Sequence, residues 1–325
     1  MPAASDRTAP PRARLAAIDV ARGAALVAMF AYHLTWDLAH FGYIDARAPF
    51  TPQMRLFSHL IASTFLFVAG FSLALARRAP FDWHAYWRRI AVIAAAAAAV
   101  TAASWFLFPE GLILFGILHC IAAASLLALP FLFLPWPAAF LAGALAFGLP
   151  FFTGSHAFDS PWLNWTGLGL VEPNSNDFRP LLPWAGVLLV GLSLGLLAKD
   201  RGGVERIARI KGRSAPARLL AFAGRHSLFV YLVHQPVFFA LLTASVWAFG
   251  QPGPADERAF RAACVQQCLS PTANEAVCQR GCACTVATFR RLNLWDQLRS
   301  GSLDESGKAI LARVARDCVA IQRDR

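Results

Sequence analysis

The sequence predicts an all-α, polytopic transmembrane helix bundle of about seven spans, N-in and C-out, with a small helical, cysteine-rich extracytoplasmic tail. Three observations carry this expectation. Of 325 residues 57% are hydrophobic and only 15% charged, too little polar surface to cover a soluble globule. The apolar residues fall in blocks of the length needed to cross a hydrocarbon core of about 30 Å. Six of the seven cysteines lie in a C-terminal stretch of ordinary soluble composition.

Residues 1–14, with Pro2, Pro10, Pro11, Arg7, Arg12 and Arg14, read as a disordered cytoplasmic arm. Residues 15–250 form the membrane domain, and its apolar blocks lie at about 15–39, 54–76, 86–108, 111–131, 134–152, 181–198 and 224–249. The first block is too long and too polar for a signal peptide and has no small-residue cleavage site after it, so it is expected to stay in the mature chain. The run Ala94–Ala99 is filler for close helix contacts.

Charge gives the spans a direction. The N-terminal arm carries Arg7, Arg12 and Arg14. The 77–89 loop carries Arg77, Arg78, Arg88 and Arg89, and the 199–225 loop carries Lys199, Arg201, Arg206, Arg209, Lys211, Arg213, Arg218 and Arg225. The intervening loops hold Arg47, Arg55 and Arg179 among Asp45, Glu110, Asp159, Glu172 and Asp177. The positive-inside rule places the N-terminus in the cytoplasm, and seven crossings place the C-terminus outside. Basic loops facing anionic lipid account for the net charge of +11 without a nucleic-acid partner. Val204, Ile207 and Ile210, at helical spacing, read as an interfacial helix.

The tail, residues 251–325, contains Cys264/Cys268 and Cys278/Cys282 in C-x₃-C spacing, then Cys284 and Cys318. An i,i+4 pair shares one helix face, so two such turns folded as a hairpin could bridge Cys264 to Cys282 and Cys268 to Cys278, leaving Cys284 for Cys318. This is one connectivity among the 15 that six cysteines allow. A zinc site is the rival, and an oxidising exterior favours disulfides. Cys120, inside the fourth block, reads as an inert packing residue.

Ionisable groups inside a span are costly enough to be functional candidates. In the first span Asp19, Arg22, His33, Asp37 and His40 fall within a stripe about 60° wide, which must face the bundle interior or a water-filled cavity. Asp19 and Arg22, at i,i+3, suffice as a structural ion pair. His33 and Asp37, at i,i+4, can form a general base, the carboxylate fixing the imidazole tautomer. His59 and Ser63 in the second span, and His119 among Phe115, Ile117 and Leu118 in the fourth, could face the same cavity; His59 reads more simply as a satisfied helix-end histidine, and His119 needs a partner from another helix. The last span opens with Arg225, His226 and Ser227, of which Arg225 and His226 could be plain membrane-edge anchors, and carries Tyr231, His234, Gln235 and Pro236. No GxSxG, P-loop or dinucleotide fingerprint is present.

Five ordered blocks go further. They are Ile18-Asp-Val-Ala-Arg-Gly-Ala-Ala-Leu26 running on through Met29, His33 and Asp37; Ser63-Thr-Phe-Leu-Phe-Val-Ala-Gly-Phe-Ser72; Pro109-Glu-Gly-Leu-Ile-Leu-Phe-Gly-Ile-Leu-His119; Pro180-Leu-Leu-Pro-Trp-Ala-Gly186; and Gly224-Arg-His-Ser-Leu-Phe-Val-Tyr-Leu-Val-His234-Gln-Pro236. Over about 12–250 the chain resembles the heparan-α-glucosaminide N-acetyltransferase catalytic-domain family, particularly its short bacterial members. The resemblance implies an acyltransferase of a bacterial inner membrane. It would take an acyl group, acetyl or another, from cytoplasmic acyl-coenzyme A as co-substrate to an extracytoplasmic sugar or amine, with no metal. Arg22, Arg225 and His226 would receive the coenzyme at the cytoplasmic mouth, and His33, oriented by Asp37, would deprotonate the acceptor. His40 is the alternative base, because the family's proposed histidine lies near the end of the first helix, and His234 is a further candidate. The cysteine tail has no counterpart in the family. The other readings are a membrane transporter or scaffold in which the stripe carries protons or lipid, and a bundle that only anchors a working tail.

Overall fold

A computed structural model describes residues 15–45, 47–210, 214–249, 257–269, 274–299 and 302–323. The arm expected over residues 1–14 lies outside them. Every regular element among the described residues is helical, and six helices are long and apolar enough to cross a membrane. Contacts gather the chain into two units, residues 1–31 with 55–234 and residues 32–54 with 235–325.

The helices start and stop where local chemistry dictates. α1 (Ala16–His40) ends in a left-handed Gly42, φ 80°, after which the Tyr43 N–H returns to the Leu38 carbonyl at 2.8 Å. α2 (Pro52–Ala76) begins on a proline, whose missing N–H costs nothing in a first turn. α3 (Trp83–Leu107) is capped by Asp82, which accepts from Ala85 N at 2.9 Å.

The fourth predicted span is shorter than expected. α4 (Ile117–Leu127) has 11 residues, a rise of about 16 Å, because Gly111 and Gly116 delay its start and Pro130 ends it. Its first N–H is capped from a distance by Asp177 Oδ2 at 2.9 Å. The segment still traverses the unit. His119 meets Thr101 near the end of α3, Ser125 accepts from the Tyr86 hydroxyl, and Phe133 packs on Phe81 and Trp83 beside the start of α3.

α5 (Trp136–Gly148) and α6 (Pro150–Thr153) follow, and together they reach membrane length. α7 (Leu181–Asp200) runs antiparallel to α5, with Ser193 against Trp136 and Gly186 against Phe147. It runs parallel to α2, with Arg179 just ahead of α7 at Ser58, Gly191 at Phe67 and Lys199 at Ala74. In the basic 199–225 loop expected to hold one interfacial helix there are two, α8 (Gly203–Ala208) and α9 (Ala215–Arg225), and Ile210 lies past the end of α8. α9 is amphipathic, with Leu219 and Phe222 exposed and Gly224 buried. α10 (Ser227–Phe249) completes the spans.

Direction supports seven crossings. In the first unit Asp19 meets Gly224 and Phe30 stacks on His234, so α1 and the α9–α10 run ascend together. In the second unit Asp37 meets Gln235 and Tyr43 meets Ser245, again ascending. First and last spans are parallel only when an odd number of crossings separates them, which requires α4 to count as one.

The core of the first unit gathers Leu66, Leu73, Tyr86, Cys120, Leu132, Leu188 and Leu192. Within the Ala94–Ala99 run only Ala96 and Ala97 are buried. Gly70 and Gly191 let α2 and α7 touch backbone to backbone: a Cβ on Gly70 would strike the Leu188 carbonyl, and one on Gly191 the Phe67 carbonyl. Close approach through small residues is how helices associate where lipid is as apolar as leucine.

The tail, in the second unit, is α11 (Glu257–Cys268), α12 (Glu275–Arg291), α13 (Trp295–Arg299) and α14 (Glu305–Arg323). Cys264 joins Cys282 and Cys268 joins Cys278 between α11 and α12, and Cys284 joins Cys318 on α14. Cys278, Cys282, Val286 and Phe289 form its buried interior, and Gly281 admits Val319. Cys120 is a free, buried thiol.

Candidate functional site

The start of α1 and the ends of α2, α7 and α9, with α8, enclose a cavity of about 640 Å³. Arg22, Lys199 and Arg225 line it together with Asp19, Glu205 and Ser72. Its size falls in the range of about 300–1,000 Å³ typical of small-molecule sites. Arg22 Nη2 donates to Ser72 Oγ at 2.6 Å, and Nη1 lies 3.6 Å from Asp19 Oδ1, so the expected i,i+3 pair forms on the cavity wall. Lys199 Nζ donates to the Ala74 and Arg77 carbonyls at 3.2 and 2.7 Å, where the end of α2 leaves acceptors exposed. Arg225 is exposed and steadied by the Ala221 carbonyl at 3.2 Å.

Two of the three residues expected to receive a coenzyme, Arg22 and Arg225, thus share one cavity. His226 does not line it. It is the C-cap at which α9 ends and packs its ring on Phe222. Lys199, Ser72 and Glu205 are the polar wall residues that sequence reasoning did not assign to the site. The signal was present for Lys199, the first cation after a long apolar run. Arg89, counted in the sequence as a loop cation, reaches back to the Ala69 carbonyl at 3.1 Å.

His234, in the same unit, is buried, and its ring stacks on Phe30 with centroids 5.3 Å apart. Its Nδ1 lies 2.5 Å from the Tyr231 carbonyl. A carbonyl only accepts, so the proton sits on Nδ1 and Nε2 is the basic nitrogen. Backbone thus does here what Asp37 was expected to do for His33.

In the second unit the hydrogen bond expected between Asp37 and His33 is not formed. Asp37, fully buried, accepts instead from Gln235 Nε2 at 2.5 Å. His33 is half-buried and edge-on to Tyr32, and His40 is exposed and stacked flat on Trp36 with Phe239 beside it.

His119 has the partner it needed. Its Nδ1 accepts from the Gly116 N–H at 3.2 Å, which puts the proton on Nε2, 3.2 Å from Thr101 Oγ1. Nδ1 thus caps the start of α4 and Nε2 ties it to α3, a structural role. His59 is exposed and edge-on to Trp184, whose ring also carries the Arg179 guanidinium at 5.5 Å. In the exposed 154–180 loop, Asp159 is held below the usual carboxylate range by its hydrogen bond to His156 and by the Val171 and Leu170 N–H groups. Among the described residues no group of three or more His, Cys, Asp or Glu is placed to hold a metal.

The family described as heparan-alpha-glucosaminide N-acetyltransferase, catalytic, matches residues 14–236. No curated protein and no solved structure matches the chain. The match ends at Pro236, the last residue of the fifth ordered block, and leaves the disulfide-linked tail outside it. Within it lie every residue that lines the cavity, and His234. The chain therefore belongs to the heparan-alpha-glucosaminide N-acetyltransferase catalytic-domain family.

Proposed function

We propose that the chain is a membrane-embedded acetyltransferase that draws on acetyl-coenzyme A from the cytoplasm and acylates a sugar or amine of the envelope on the other face. The observation that carries this reading is the cavity where Arg22, Lys199 and Arg225 converge, at the end of the bundle flanked by the two basic loops. Coenzyme A presents a 3′-phosphate and a pyrophosphate, and guanidinium groups suit such anions through paired hydrogen bonds. By the positive-inside rule the charge of those loops supports a cytoplasmic placing of this face and an extracytoplasmic tail, in our reading of a bacterial inner membrane.

In the reaction the acceptor nitrogen or oxygen attacks the thioester carbonyl and loses a proton, and the coenzyme departs as its thiol. His234 is the base we assign, since its tautomer presents Nε2 as proton acceptor. His33 is the second candidate, on the polar stripe of α1.

The test uses purified protein in lipid nanodiscs with radiolabelled acetyl-coenzyme A and envelope extract. The intact protein should transfer label to the extract. His234→Ala should lower turnover by about 10²–10⁴ while coenzyme binding persists. Arg225→Ala should weaken coenzyme binding by about 10- to 100-fold, the loss of one charge-assisted contact. Normal turnover in His234→Ala with loss in His33→Ala reassigns the base. Absence of both binding and transfer in the intact protein overturns the function.

A further inference from the structure

The polar atoms enclosed between α1 and α10 in the second unit do not balance as drawn with an ionised carboxylate. Asp37 is 0% exposed, and its Oδ1 accepts from Gln235 Nε2 at 2.5 Å. Its Oδ2 is buried without a hydrogen-bond partner, and so is Gln235 Oε1. These two orphans belong to the same pair of side chains, and both are acceptors, so neither can satisfy the other. One proton added to Oδ2 satisfies both.

We propose that Asp37 carries its proton and closes an acid–amide ring with Gln235. Gln235 Nε2–H donates to Oδ1, and Asp37 Oδ2–H donates to Oε1. The surroundings agree. From Gln235 to Phe249, α10 has no ionisable side chain, and the titratable groups of residues 32–54 besides Asp37 are Tyr32, His33, His40, Tyr43, Asp45 and Arg47. None of them makes an ion pair with Asp37 among the described residues. An uncompensated buried carboxylate costs several kcal/mol, and a neutral acid with both oxygens bonded avoids that cost.

Asp37 is then a positioning residue, a neutral latch from the first span to the last. Gln235 follows His234 in the chain, so the latch fixes the helical turn that bears the assigned base. The latch does not depend on the proposed function; only the transfer readout below does.

Infrared spectroscopy of the protein in nanodiscs at neutral pH tests it. Wild type minus Asp37→Asn should show the carbonyl stretch of a protonated carboxylic acid, shifting down in D₂O. Gln235→Met should move that band to higher frequency by removing its hydrogen bonds. Asp37→Asn should keep the thermal stability and transfer of the wild type, since the Asn amide can donate to Oε1 as the acid did, whereas Asp37→Ala should lose both. No protonated-acid band, a band unmoved in Gln235→Met, or an Asp37→Asn protein as impaired as Asp37→Ala overturns the latch. Failure of transfer in the wild type would count against the acetyltransferase reading and leave the spectrum intact.

Discussion

The bundle and the tail hold their helices together by different means, although both are all-α. In the bundle α2 and α7 touch through Gly70 and Gly191, and side chains meet backbone carbonyls across helices, as at Arg89 and Lys199. In the tail three disulfides join three helices, α11, α12 and α14, whose buried interior is a handful of residues around Val286 and Phe289. The solvent explains the contrast. Between lipid-facing helices apolar burial gains little over contact with lipid, so shape and polar contacts decide the packing. In water, a unit of a few tens of residues buries too little apolar surface to stand alone and needs covalent closure.

Reduction should separate the two regions most sharply. Breaking a native disulfide in a small domain costs about 2–5 kcal/mol, comparable to such a domain's whole stability. Treating the full chain with reductant should therefore make residues 257–323 sensitive to protease while the bundle stays resistant. In intact cells, a membrane-impermeant reductant followed by an impermeant alkylating agent should label the tail cysteines and spare Cys120. Labelling that requires permeabilised cells would place the tail on the cytoplasmic side and reverse the topology.

The bundle should break at a contact the tail lacks. Gly70→Val puts a Cβ into the Leu188 carbonyl, and over-packing of this kind costs about 1–3 kcal/mol or more. The variant should melt earlier in nanodiscs and leave the tail disulfides formed. Gly148→Ala is the matched control, since a Cβ there meets nothing within 4 Å. It should hold or raise stability, by the better helix propensity of alanine. Equal effects of the two would show that packing between α2 and α7 is not what holds the bundle.

Much of this was legible in the sequence, and the limits follow one rule. Periodicity reports which face of a helix a residue occupies, so the spans and the shared faces of the cysteine pairs could be read directly, whereas of the polar stripe of α1 Asp19 and Asp37 are buried and His40 is exposed. Periodicity does not report what lies opposite. Asp37 and Gln235 are 198 residues apart, and the nearer His33 drew the inference because i,i+4 spacing is all a sequence displays. The cavity was half legible: basic loops pointed to Arg22 and Arg225, but Lys199 and Ser72 join it through the parallel packing of α2 and α7. The short α4 was obscured because an apolar count ignores where Gly116 and Pro130 interrupt the helix.

The smallest expected effect lies within the tail and asks whether anything besides disulfides holds its helices. Asp304 stands at the head of α14, where its Oδ1 accepts from Gly307 N at 2.7 Å and from the Ser306 hydroxyl at 2.9 Å. The Gly307 N–H, with Ser306 next, holds its carboxyl below the usual carboxylate range. A depressed folded value means that the cap stabilises fully above the unfolded value and is lost as pH falls through the folded one. Hydrogen exchange at Gly307 and Lys308 should therefore lose protection in acid, while the Cys284–Cys318 bridge keeps the rest of α14 in place. Asp304→Asn should remove most of the pH dependence and keep the cap, since asparagine caps nearly as well as aspartate. Asp304→Ala should fray the first turn at every pH. If α14 unravels along its whole length in that variant, the tail depends on its caps as the bundle depends on its glycines, and the contrast between the two regions is weaker than drawn.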